Sequence, residues 1–155
     1  MERDFLRHTV ATLAYRGGKV VRDAPPGFES LRVVESTRTP GEILAHIGDL
    51  LDWGLSMASG QPSWTDSAPL PWEREVDRFF AGLAAFEKYL ASEEPLHNPA
   101  EKLFQGPIAD ALTHVGQLAL LRRIHGAPVK GENYFKAEIA AGRVGRDQAK
   151  PKREF

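Results

Sequence analysis

Apolar residues recur at spacings of three and four in four separate stretches of the chain, the period of helices that bury one face. Residues 2 to 23 carry Phe5, Thr9, Leu13 and Val20 on one stripe, interrupted by Gly17-Gly18. A glycine pair inside a helix marks a kink or a close approach of another backbone. Pro25, Pro26 and Gly27 then break the pattern, and Ala24 to Arg38 is expected as an ordered loop with a short extended piece at Leu31 to Val34. Thr39-Pro40-Gly41-Glu42 is a strong start signal, with Thr39 as cap, Pro40 in the first turn and Glu42 as the capping-box acid. The second helix runs to about Ser59 and buries Ile43, Leu44, Ile47, Leu50, Leu51 and Leu55. A Pro/Ser-rich connection, Gly60 to Trp72, leads into a third helix from Glu73 to Glu93, with Val76, Phe79, Phe80, Leu83, Phe86 and Leu90 at core spacing. The fourth helix is expected from Pro107, at its first position, to Gly126 as its stop, about five turns. Gly131 to Gly142 reads as a short terminal helix, and residues 143–155 as a polar, basic, flexible tail. The chain is thus expected to be all-α: a four-helix bundle over residues 1–142 as a single domain, with long loops.

Composition adds mostly exclusions. At 155 residues, 42% apolar and 26% charged, the chain is an ordinary globular domain with enough length for a sizeable core. A net charge of −1 gives no electrostatic reason to expect nucleic acid as a partner. The absence of cysteine removes disulfides, thiolate nucleophiles and Cys-type zinc sites. No apolar run is long enough for a membrane helix, and the charged N-terminus does not read as a signal peptide, so a cytoplasmic protein is expected. Phosphate loops, nucleophile elbows and His-Glu-x-x-His motifs are missing.

Candidate chemistry lies on the second and fourth helices. On the fourth, Ile108, Ala111, Leu112, Val115, Leu118 and Ala119 form a broad apolar face, with Asp110, His114 and Gln117 as a polar seam beside it. A carboxylate and an imidazole one turn apart can grip one metal ion. The seam is equally the kind that faces water, although Leu121 and Ile124 continue it and fit a plain solvent face poorly. On the second helix, His46 and Trp53 share a shoulder of the apolar face, with Glu42 and Asp49 on the polar side. His46, Asp110 and His114 therefore make a candidate three-donor metal site of the open, catalytic type, with Gln117, Asp49 and Trp53 around it. Such donors suit zinc or nickel, and iron or manganese as well. Trp64 and Trp72 either roof a cavity or cover the ends of the core. His8 and His97 read as surface histidines, and Arg122 or Arg123 as surface ion pairs or as contacts for an anionic substrate.

Two stretches carry a resemblance. TRTPGEILAHIGDLLDW, residues 37–53, resembles the second-helix segment of the DinB-like (YfiT-like) metal-dependent bundles. ADALTHVGQLALLRRIHG, residues 109–126, is similar to that family's fourth-helix signature, paired histidines four apart followed by Gly-Gln and an apolar run. His46 matches the second-helix ligand and His114 the second paired histidine, while Asp110 stands where the family usually has the first. That departure changes the charge and metal preference of the site, or leaves a metal-free Asp110–His114 pair. The resemblance implies an up-down-down-up bundle that dimerises, a divalent metal cofactor, and metal-assisted chemistry on a small molecule, foremost thiol-dependent transfer with a low-molecular-weight thiol as cosubstrate. A non-catalytic, stress-associated binding module and a metal-dependent hydrolase are the other functions compatible with these residues.

Overall fold

Four long helical stretches and no β-strand make up the computed structural model, which describes all 155 residues. They comprise α1 (Glu2–Val21), α2 (Pro40–Ala58), α3 (Trp72–Ala91) and a last stretch in three parts. That stretch begins as α4 (Ala100–Leu103), passes through a π-helical turn (Phe104–Ile108) and continues as α5 (Ala109–Ile124). The capping box expected at Thr39 is present: Thr39 Oγ1 accepts from the Glu42 N–H at 3.2 Å, and Glu42 Oε2 accepts from the Thr39 N–H at 2.9 Å. α2 packs most extensively on α3, and α1 lies against both α3 and α5. Their shared core includes Val10, Leu13, Ile47, Leu51, Phe79, Leu83, Phe86, Ile108 and Leu118, each at most 1% exposed. No helix is long and apolar enough to cross a membrane.

Gly17 shows why the glycine pair interrupts α1. A Cβ built there would lie 2.5 Å from Phe79 Cζ, so the pair marks the close approach of α3 and not a helix end. Phe5, expected on the buried stripe, is instead 67% exposed. It lies beyond the packed face, which runs through Leu6, Val10 and Leu13.

Pro107 does not begin the last helix. It lies inside the π turn, seven residues after the helical stretch starts at Ala100. A proline in a helix interior lacks an N–H and crowds the carbonyl four residues back, and the widened turn absorbs both effects. Leu31 to Val34 forms no strand: Leu31 is extended after a short 3-10 turn, Phe28–Ser30, but Val33 and Val34 bend into a turn closed by Thr37 Oγ1 donating to the Val34 carbonyl at 2.8 Å.

The expected terminal helix shrinks to one 3-10 turn, Tyr134–Lys136. Its backbone is engaged elsewhere: the Asn133 N–H donates to Arg153 O and the Phe155 N–H to Gly131 O. Residues 143–155, expected as a free tail, fold back through these bonds. Lys19 of α1 bridges Glu132 at 2.8 Å and Glu154 at 3.1 Å. Tyr15 donates to Glu132 at 2.5 Å, while Val144 is buried and Arg146 pairs with Asp77. Their partners lie more than a hundred residues away on α1, or on α3, which local composition does not reveal.

Candidate metal centre

α2 and α5 pack side by side, and each presents a shoulder of its apolar face to the other. The phase set by the Thr39 cap brings His46 to that shoulder, where its side chain is 14% exposed. On α5 the four-residue spacing stacks Asp110 over His114. One ligand atom from each of His46, Asp110 and His114 falls within 4.8 Å of the others, so the three could hold a metal ion. His114 Nε2 lies 3.3 Å from Asp110 Oδ1, and His46 Nε2 lies 3.8 Å from Asp110 Oδ2. Donors about 2.1 Å from a tetrahedral ion stand roughly 3.4 Å apart, so these separations suit shared coordination. The two imidazole rings meet edge to face with centroids 4.7 Å apart.

The surroundings orient the His114 ring and favour the neutral form of His46. Gln117 Oε1 lies 2.8 Å from His114 Nδ1. A carbonyl oxygen can only accept, so Nδ1 carries the hydrogen and the Nε2 lone pair points to the cluster. Burial pushes the His46 imidazole below its usual pKa, and the charges of Arg38 and His114 push the same way, against Asp110 and Asp49. His46 is therefore neutral at neutral pH. Its Nδ1 is buried without a hydrogen-bond partner, so no neighbour fixes its tautomer as Gln117 does that of His114. Asp110 is the open corner, its side chain 47% exposed. The donor set fits a divalent ion with room for an incoming ligand.

Asp49 and Trp53 sit differently from Gln117. The Asp49 carboxylate is buried, accepting from the Ser67 N–H at 2.8 Å, Ser67 Oγ at 2.7 Å and Arg78 Nη2 at 2.5 Å. It anchors the loop between α2 and α3 and makes no hydrogen bond to His46. That anchoring brings in Trp64, whose ring stands edge-on to both His46 at 5.8 Å and Trp53 at 6.0 Å between centroids. Trp64 is thus a wall of the site, whereas Trp72 is buried in the core against Phe28. The sequence signal for Trp64 was only its place in a long loop.

Arg122 serves neither role expected of it. It is 5% exposed, and its guanidinium donates to the carbonyls of Val20, Arg22 and Ala127 at 2.9 Å each. It ties the end of α1 to the end of α5. His8 and His97 lie on the surface, away from the cluster.

Comparison of the chain with family models, with curated proteins and with solved structures returns no match.

Proposed function

We propose that the protein is a metal-dependent enzyme that acts on a small molecule at His46, Asp110 and His114. The observation that carries this reading is the convergence of three donor atoms within 4.8 Å from two helices, with one corner open. The resemblance of residues 37–53 and 109–126 to DinB-like bundles supports it, and with it the up-down-down-up arrangement, a homodimer and thiol-dependent transfer as the reaction class. Zinc or nickel suits two imidazoles and one carboxylate best, with iron or manganese next. A bound divalent ion supplies a Lewis acid that makes a thiol or water nucleophilic at neutral pH.

The chain's own groups orient and enclose. Gln117 fixes the His114 tautomer, His46 stays neutral through burial, and Trp64 with Trp53 forms a wall beside His46. With no cysteine in the chain, a reacting thiol arrives as cosubstrate.

The test is elemental analysis of untagged protein after incubation with zinc and removal of excess. About one ion per chain is expected, falling to background in His46→Ala and His114→Ala. Metal-free wild type, or variants that hold as much zinc as the parent, would overturn the site. A loaded protein that accelerates neither thiol transfer nor ester or amide hydrolysis would move the reading to a binding module.

A further inference from the structure

A single stripe of α5 runs Asp110, His114, Gln117, Leu121, Ile124, at spacings of four, three, four and three. Side chains so spaced share one side of a helix. Its first two residues belong to the metal cluster and the third supports it. The remainder of the stripe, from Gln117 onward, lines an open cavity of about 590 Å³. Leu120 on α5 and Ile43 on α2 extend the apolar lining. Leu120 and Ile124 are 58% and 51% exposed, a large apolar area to leave uncovered directly beside a polar cluster.

Arg38 is the one charged residue lining that cavity. It also lines, with His46, a smaller cavity of about 200 Å³. It therefore borders both the apolar groove and the cavity that reaches His46. No acid makes an ion pair with it, although the nearby Glu42 carboxylate feels its charge. Glu42 is taken by Arg32 at 2.9 Å and by the Thr39 N–H, and Asp49 by Arg78 and Ser67. Asp66, which shares the smaller cavity, makes no ion pair with it. Arg38 also directly precedes the cap of α2, where the helix dipole disfavours a cation. With no ion-pair partner of its own, it is suited to an anion.

We propose that Arg38 and the groove form a subsite for a small carboxylate with an apolar body. The head is held at the guanidinium, and the body lies along Ile43, Leu120, Leu121 and Ile124. A planar guanidinium matches a carboxylate in shape and in charge, and no second cation lines the groove to balance a dianion. This inference rests on the reading that substrate lies over the metal cluster, and names the class of that substrate.

Calorimetric titration of the full chain with octanoate, its neutral match octanamide, and octyl phosphate tests it, in zinc-loaded and chelator-stripped protein. Octanoate is expected to bind roughly fivefold more tightly than octanamide, the size of effect a partly exposed ion pair gives. Arg38→Gln should erase that preference while leaving zinc content unchanged. Arg38→Lys should keep part of it, and Leu120→Asn should weaken both ligands alike. Equal affinities, no binding of either at millimolar concentration, a preference surviving Arg38→Gln, or tighter binding of octyl phosphate would overturn the proposal. So would a preference lost on stripping the metal, which would put the head on the ion. Protein that never holds zinc yet shows the Arg38-dependent preference would refute the metal centre and leave this subsite standing.

Discussion

His114 is held between two oxygen acceptors, the Gln117 amide at Nδ1 and the Asp110 carboxylate facing Nε2. Removing the amide frees the ring to turn and to change tautomer without touching a ligand. Gln117→Ala is therefore expected to weaken zinc binding roughly 10- to 100-fold, measured by competition with a chromophoric chelator. Because Gln117 is exposed, the melting temperature of the metal-free protein should not move. An unchanged affinity would show that Gln117 plays no part. Asp110, His114 and Gln117 were legible from sequence because one helical period relates them. His46 was legible because a capping box fixed the phase of its helix. Asp49 was not: its partners Ser67 and Arg78 lie 18 and 29 residues away, and no local pattern ties them together.

At the scale of elements, the apolar period located all four helical stretches, and the caps placed the ends of α2. The start of the last stretch was misplaced because proline is favoured at a first helical position and gives no sign of a widened turn. Only the fold shows that Pro107 packs beside Gly54, where a Cβ would come within 3.2 Å of Pro107 Cβ and 2.9 Å of Phe86 Cε1. The α1–α3 contact makes a comparable claim on Gly17. Alanine is the better helix former by about 1 kcal/mol, yet its methyl would collide with the Phe79 ring. Gly17→Ala is expected to lower stability by about 2 kcal/mol in urea unfolding. A stabilised variant would mean that α3 does not approach α1 so closely.

Across the whole molecule, long-range polar ties hold what the helices leave loose. Arg122 joins the ends of α1 and α5, the Tyr15–Glu132–Lys19 group docks the C-terminal segment, and Asp49 with Arg78 anchors the long loop. Burial pushes the Asp49 carboxyl up, but bonds from Ser67 and Arg78 outweigh it and hold the group below the usual carboxylate range. Folded Asp49 thus binds fewer protons than unfolded Asp49. Its contribution is complete above the ordinary carboxylate value of about 4 and drains as pH falls through the lower folded value. Urea midpoints measured from pH 6 to pH 2 should therefore fall, and fall less steeply in Asp49→Asn, which starts about 3 kcal/mol less stable because Arg78 loses its buried partner. Parallel curves for the two proteins would count against this account. Such ties join residues far apart in sequence, so composition alone suggested a flexible tail and gave no sign of what anchors the long loop.

Trp64 turns the site into its own optical gauge. Its indole lies against His46 and shares the wall with Trp53, while Trp72 is buried against Phe28 in the core. Emission from the two outer tryptophans thus senses the occupant of the cluster, and Trp72 serves as an internal standard. A closed-shell ion such as zinc leaves that emission bright, whereas an ion with unpaired electrons darkens it. Whether a metal held at His46 is closed-shell or open-shell could be read from the unlabelled protein in a cuvette.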